Sequence, residues 1–510
     1  METAQLNKEQ LIDLVNQQAD LVLQQNQRIE ALEQQLRLIL SKQYGRQSEK
    51  ISPDQYDLFG KDLPEQEEAA EEEEAITETR ARKRRGKRKP CDKTLERHRI
   101  DYELSPEQRQ CGCGGELKKI DEVISEQYEV IPVRYLVIEH AQHKYACPCC
   151  QENIQLAAKP AQTLPKSNAG PGLLAHIATT KYVDGVPLHR QEKQHERGGI
   201  VLPRNTMSRW MIQLAELIIP LINLFEDAIR AGPFIQCDET TQQVLKEANR
   251  KASQLSYMWV RYGGLPGYEV IIYTYHPGRG SNVALSLFEG YQGYVQCDGY
   301  SGYQCLEKQG IILLGCLAHA RRKYVDALKG LAKGESQQKS KAGIALAFIK
   351  SLYAIETEAK DFTPEARYQL RQEKAVPILN EFKTWLDEQN VLPKSPLGKA
   401  INYSLNQWSK LIRYCDNGCL HIDNNRDERA IRPFAISRKN FLFSDTEQGA
   451  HTNARFFSLI ETAKLHGLEP YAYLKHIFKE LPLASTLEDY EKLLPWKLDA
   501  DNVRETAKSL

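Results

Sequence analysis

The phrase hydrophobic-Gln-Cys-Asp occurs twice, as Ile235-Gln236-Cys237-Asp238 and as Val295-Gln296-Cys297-Asp298. Each copy closes a short apolar run, and β-branched or aromatic runs of that length predict buried strands. An Asp on the last residue of such a strand projects from the sheet toward solvent. Either Asp alone reads first as a cap for the loop or helix that follows. Together, on neighbouring strands, the two carboxylates can hold a divalent cation, and hard oxygen donors suit Mg²⁺ or Mn²⁺. Further acids stand in His421-Ile422-Asp423-Asn424-Asn425-Arg426-Asp427-Glu428-Arg429. Asp423 or Asn424 can cap a helix that carries Glu428 on its first turns, followed by Arg429, Arg432, Arg438 and Lys439. A surface pairing of Glu428 with Arg432 at the i+4 position fits the same spacing. Spacing alone does not choose among Asp423, Asp427 and Glu428.

A second chemistry lies in the cysteines. Five of the twelve fall between Cys111 and Cys150, a grouping that suits a metal site in a reducing cytosol. Cys111-Gly112-Cys113 and Cys147-Pro148-Cys149-Cys150 are two knuckles, with strands expected between them at 126–130 and 135–140. This is the pattern of a zinc ribbon with Cys111, Cys113, Cys147 and Cys150 as ligands. Cys149 is a spare thiol, and His140 or His143 can replace one. The first knuckle is tighter than the usual Cys-x-x-Cys, and a group of structural thiols fits these residues too.

The acids need strands to position them. Residues 234–238, 255–262 and 268–275 read as a three-stranded antiparallel meander, with turns at Gly263-Gly264 and Pro266-Gly267. A helix at 281–288, a strand at 293–298 and a short helical stretch at 301–308 follow. A strand at 311–316 and a helix at 318–328 complete the set. The order β-β-β-α-β-α-β-α is that of the ribonuclease-H-like fold, in which the first and fourth strands are neighbours, so the two Asp would meet. Residues 330–415 read as a helical insertion.

Upstream, Leu11, Val15, Gln18, Val22, Gln25, Ile29, Leu32, Leu36 and Ile39 form a heptad seam, which predicts one helix over 6–42 that self-associates as a coiled coil. Residues 51–95 are a charged linker. Eight of the ten residues from Arg80 to Lys89 are basic, including Arg82, Lys83, Arg84, Arg85, Lys87 and Arg88. They serve equally as a solvated linker or as a phosphate-binding arm. Helices are expected at 172–182, 189–196 and 207–217, with Pro220 bending the last. They fit a helix-turn-helix DNA reader using Arg204 and Arg209, or a plain connector. With 68 basic and 68 acidic residues, net charge gives no guidance about nucleic acid. No segment has the ~20 apolar residues of a membrane span. The N-terminus lacks a signal pattern, so a cytoplasmic location, with the nucleoid when DNA is bound, is expected.

At this point the chain resembles the insertion sequence 66 transposase family. The resemblance covers nearly the whole chain. It rests on the zipper-like start, Tyr44-Gly45-Arg46-Gln47-Ser48-Glu49-Lys50, the zinc-ribbon segment and Lys181-Tyr182-Val183-Asp184 with Pro187-Leu188-His189-Arg190-Gln191. It continues through Asp238-Glu239-Thr240, Asp298-Gly299-Tyr300, Cys316-Leu317-Ala318-His319-Ala320-Arg321-Arg322-Lys323, and Asp423-Asn424-Asn425 with Glu428-Arg429. It implies a DDE-type transposase with Asp238, Asp298 and Glu428 as its acids. Such sites hold two Mg²⁺ or Mn²⁺ ions ~3.5–4 Å apart. Water cuts the element end, and the freed 3′-hydroxyl then joins it to target DNA. No Ser or Tyr nucleophile is needed. Arg321, Arg322 and Arg432 join the DNA-binding candidates. Expected partners are the element ends, target DNA, further copies of this chain and accessory proteins encoded beside it.

The expected organisation is a multidomain α/β chain. It comprises a coiled coil (1–50), linker (51–95), zinc ribbon (96–160) and helical region (161–230). A ribonuclease-H-like catalytic domain (231–465) with its insertion near 330–415 and a helical tail (466–510) complete it. Two other readings fit parts of this pattern: a zinc-ribbon DNA-binding regulator with an inert acid site, and a metal-dependent nuclease of the same fold.

Overall fold

The computed structural model describes residues 8–44, 134–146, 154–159, 161–331 and 336–508. Internal packing divides the chain into two units, one of residues 65–139 with 198–200 and one of the remainder. The described residues of the smaller unit form no helix or strand. The elements below belong to the larger unit.

Helix α1 (Lys8–Tyr44) follows the unbroken heptad spacing and contains neither Pro nor Gly. Ala31 is buried, and Gln35 Nε2 donates to the Lys394 carbonyl at 2.5 Å. The seam residues Ile29, Leu32, Leu36 and Ile39 remain 55–57% exposed. Strands β1 (Lys144–Ala146) and β2 (Ile154–Leu156) pair antiparallel, Lys144 opposite Leu156, and bracket the second cysteine knuckle. The strand expected at 135–140 does not form. Its apolar run lies open, with Val137 94% exposed, and pairing begins only at Lys144. The strand expected beside this run at 126–130 lies outside the described residues.

Helices α2 (Pro171–Tyr182), α3 (Leu188–Arg197), α4 (Arg204–Leu217) and α5 (Ile219–Ala231) follow. Pro220 separates α4 from α5 rather than bending one helix. It stands in the first turn of α5, where its missing N–H has no intrahelical partner to lose.

The central sheet has the order β5-β4-β3-β6-β7. Strands β3 (Phe234–Lys246), β4 (Leu255–Gly263) and β5 (Val270–His276) form the antiparallel meander. After helix α6 (Ser281–Leu287), strand β6 (Tyr294–Gln296) runs parallel to β3. A 3₁₀ segment (Ser301–Gln309) leads to β7 (Ile312–Leu314), parallel to β6, and to helix α7 (Leu317–Lys329). Beyond the expected end of the first strand, β3 continues for eight residues. Its far end pairs with β8 (Ser444–Thr446), Val244 opposite Ser444.

The insertion is helical: α8 (Lys341–Glu358), α9 (Pro364–Leu370), one π-helical turn (Arg371–Ala375), α10 (Val376–Asp387) and α11 (Pro396–Asn406). Fully buried Arg371 binds both oxygens of Glu356, at 2.8 and 2.6 Å, and the carbonyls of Tyr414, Asn417 and Leu420. It thereby fastens the insertion to the segment that returns to the sheet.

Helices α12 (Asn425–Phe441) and α13 (Glu447–Leu465) pack on the sheet. Along β5, the backbone N–H groups of Ile271 and Tyr273 donate to Thr462 Oγ1 and Ser458 Oγ of α13 at 3.0 and 2.8 Å. At the opposite edge, Arg413 donates to the Leu313 carbonyl at 2.8 Å, and Gly315 N–H donates to the Lys410 carbonyl at 3.0 Å. Helix α14 (Pro470–Glu480) buries Tyr473, Leu474, Ile477 and Phe478 and packs on α2, where Thr163 donates to the Phe478 carbonyl. Helix α15 (Ala500–Lys508) packs on α14. Among the described residues no helix is long and apolar enough to cross a membrane.

Candidate active site

The site begins with register. In the parallel pair β3–β6, Phe234 lies opposite Tyr294, Ile235 opposite Val295 and Gln236 opposite Gln296. The two copies of the repeated phrase therefore lie side by side. Asp238 and Asp298 each stand two residues past the last paired residue. Asp238 is not the end of its strand; it marks where pairing with β6 stops while β3 runs on.

The two glutamines are buried and fully engaged. Gln236 Nε2 donates to Gln296 Oε1 at 2.8 Å and to the Asp423 carbonyl at 2.9 Å. Gln296 Nε2 donates to the carbonyls of Gly315 at 3.1 Å and His421 at 2.8 Å. Gln236 Oε1 accepts the Asp427 backbone N–H at 3.3 Å. The loop that opens α12 is thus hung on the strand pair, and Glu428 sits on the first turn of α12. Asp423 also fixes this loop, accepting from Asn425 N–H at 3.1 Å and from the Tyr353 hydroxyl at 2.7 Å. Of the two possible caps, Asp423 makes the bond; the Asn424 side chain is buried without a partner. Sequence reasoning gave the glutamines no role. The available signal was a polar residue at the same place in two strands expected to be buried.

The acids are coupled. Burial is the main force that pushes the Asp238 carboxyl up to about 7. The charges of Glu239, Asp298 and Glu428 add to it, and the Glu239 N–H bond to Asp238 Oδ1 opposes it. Glu428 Oε2 lies 3.3 Å from Arg322 Nη2, and its Oε1 lies 3.7 Å from His319 Nε2. Arg322 is largely exposed. Burial lowers the His319 imidazole below its usual range, against the pull of Glu428. Asp427 is wholly buried with neither carboxylate oxygen bonded. Burial, then the charges of Asp238, Glu428 and Glu239, raise it far above the usual carboxylate range.

Glu239 takes the opposite face of β3, the expected consequence of strand alternation. There it accepts from the Tyr303 hydroxyl and pairs with Arg279. Arg279 also reaches Asp298, with Nη2 3.8 Å from Oδ2, and its guanidinium lies over the Tyr300 ring.

The charges of Asp298 and Glu428 both reach Asp238, and hard oxygen donors of this kind suit Mg²⁺ or Mn²⁺, but the three acids do not form a cluster with all ligand atoms within 4.8 Å of one another. A half-buried carboxyl under the charge of neighbouring acids is the kind of group a divalent cation relieves. Among the described residues, the trio with ligand atoms all within 4.8 Å is Cys316, His319 and Glu428.

Arg204 and Arg209 are exposed at the start of α4, and the Arg204 N–H donates to Glu192 of α3 at 3.1 Å. Arg321 and Arg322 lie on α7, and Arg432 is exposed on α12. Cys111, Cys113, Cys147, Cys150 and the basic residues Arg82, Lys83, Arg84, Arg85, Lys87 and Arg88 lie outside the described residues.

Residues 166–452 match the model of the Transposase IS66 family. The chain belongs to the IS66 transposase family. Three further models match: the zinc-finger binding domain of transposase IS66 over 108–151, Transposase C of IS166 homeodomain over 31–100 and the IS66 C-terminal element over 458–496. The zinc-finger match contains all four ribbon cysteines, and the transposase match contains all three acids. Relatives of this IS66 family member include two proteins of Sinorhizobium fredii. The uncharacterized protein y4jD is 32% identical over 80% of this chain and 82% of its own length. The uncharacterized protein y4qI is 32% identical over 79% and 76%.

Proposed function

We propose that this IS66 family member is a DDE-type transposase that cuts DNA at element ends and joins the freed 3′-hydroxyl to target DNA. Asp238, Asp298 and Glu428 are its metal ligands. The observation that carries the reading is the in-register parallel pairing of β3 with β6, which sets the two Asp at equivalent positions on neighbouring strands while their glutamines hold the loop of Glu428. The strand order, with the first and fourth strands adjacent, supports a ribonuclease-H-like catalytic domain.

Bound Mg²⁺ or Mn²⁺ would activate the attacking oxygen and stabilise charge on the leaving 3′-oxygen. The chain's own groups orient the substrate around that centre. Arg322 is exposed enough to exchange Glu428 for a phosphate oxygen, and Arg279 stands in the same position beside Asp298. Burial of Asp427 favours its protonated form, which limits the negative charge it sets against the phosphate. The acids repel DNA, so its grip falls to the basic arm at 80–89, the zinc ribbon, Arg204, Arg209, Arg321 and Arg432. Structural Zn²⁺ at Cys111, Cys113, Cys147 and Cys150 fits the zinc-finger match. The exposed seam of α1 supports self-association, which would bring two element ends together.

The test is a strand-transfer assay with a 3′-labelled element end and Mg²⁺. The wild type should give both cut and joined product. Asp238→Asn and Asp298→Asn should lose both while still shifting the labelled end in a gel. Normal cleavage by either variant rejects the assignment, and cut product without joining points to a nuclease.

A further inference from the structure

Cys316 ends the run after β7 and caps the start of α7, and His319 lies on the first turn of that helix. Both face Glu428 on the first turn of α12. The three side chains bring sulfur, nitrogen and oxygen donors within 4.8 Å of one another. The cysteine is fully buried. Glu428 Oε1 and His319 Nδ1 are buried atoms without a hydrogen-bond partner. The 3.7 Å between His319 Nε2 and Glu428 Oε1 is too long for a hydrogen bond. It approaches the ~3.4 Å edge of a tetrahedron with ~2.1 Å bonds. Arg322 engages the other carboxylate oxygen and leaves Oε1 free.

We propose that Cys316, His319 and Glu428 form a binding site for a thiophilic divalent cation, with Zn²⁺ as its natural probe. Thiolate and imidazole select zinc over magnesium, whereas the three acids select the reverse. Ligation releases the Cys316 thiol proton to solvent and leaves a fourth position for water. Glu428 belongs to both donor sets. A zinc ion held here draws that carboxylate away from Asp238 and Asp298, so the site is inhibitory. The binding stands independently of the catalytic reading; the inhibition rests on it.

The experiment uses the full-length protein, dialysed against Zn²⁺ in excess Mg²⁺, with metal content measured by mass spectrometry. Wild type should hold one zinc per chain more than Cys316→Ala and His319→Ala. All three proteins share the ribbon cysteines, so zinc held there cancels. Glu428→Gln, at a partly exposed position, gives the same comparison should the buried substitution misfold. Equal zinc content in wild type and the folded variants overturns the site. In the cleavage assay, zinc should slow the wild type, and Cys316→Ala should raise the half-inhibitory concentration on the order of tenfold or more. Zinc-insensitive cleavage by a zinc-loaded wild type overturns the inhibition. Absence of cleavage without zinc, with the binding difference intact, supports the site while rejecting the transposase reading.

Discussion

At Asp238 the folded-state value of about 7 lies above the ordinary 3.8. Between those values the native chain keeps a proton that the unfolded chain releases. The contribution to stability is therefore favourable at low pH and is lost as pH rises from about 4 to about 7. Thermal melts in metal-free buffer should show that decline, and Asp238→Asn should flatten it. An identical slope in the variant would remove Asp238 as its source. Mg²⁺ needs the deprotonated form, so its stabilising effect should weaken as pH falls below about 7. The glutamine pair makes a second residue-scale prediction. Gln296→Met keeps the volume but strands the Gly315 and His421 carbonyls and Gln236 Nε2. Denaturant titration should show a loss of ~2–3 kcal/mol, because buried polar groups left unpaired bear their desolvation cost. The repeated phrase was legible in the sequence because its two copies are local. The glutamines' role was not, because the partners that hang the Glu428 loop on them lie 125 to 191 residues downstream.

At the scale of elements, period and punctuation located most of the fold. The strands at 255–262 and 311–316 and the helices at 172–182, 189–196 and 318–328 appear within a few residues of their expected places. Two misses concern pairing. Strand β3 outlasts its expected end because β4 pairs with it as far as Gln243 and β8 beyond. At 135–140 no described strand pairs with the run, and the strand expected beside it at 126–130 lies outside the described residues. Tertiary pairing, not the local alphabet, set the length of β3. The π-helical turn was equally unreadable, and Arg371 there links elements that propensity treats as independent. Arg371→Ala should cost roughly 3–5 kcal/mol by leaving Glu356 and three carbonyls without their donor. Arg371→Lys should recover only part, since an ammonium cannot reproduce the planar fork. Full recovery by Lys would refute this role.

For the whole molecule, α1 poses the clearest question. Its seam is exposed while its other side rests on the body of the chain. Leu32→Asp with Leu36→Asp should shift the sedimentation of an associated form toward that of one chain and leave the far-ultraviolet spectrum nearly unchanged. Unchanged sedimentation would assign self-association elsewhere.

Among the described residues, groups from outside the central sheet engage both of its borders. The Ser458 and Thr462 hydroxyls occupy β5 on one side, and Arg413 with the Lys410 carbonyl occupies β7 on the other. A stray extended peptide meets these groups rather than a bare ladder at those places, which works against fibril seeding there. Stressed samples should therefore clump without the amyloid dye signal. Ser458→Ala with Thr462→Ala should make that signal appear.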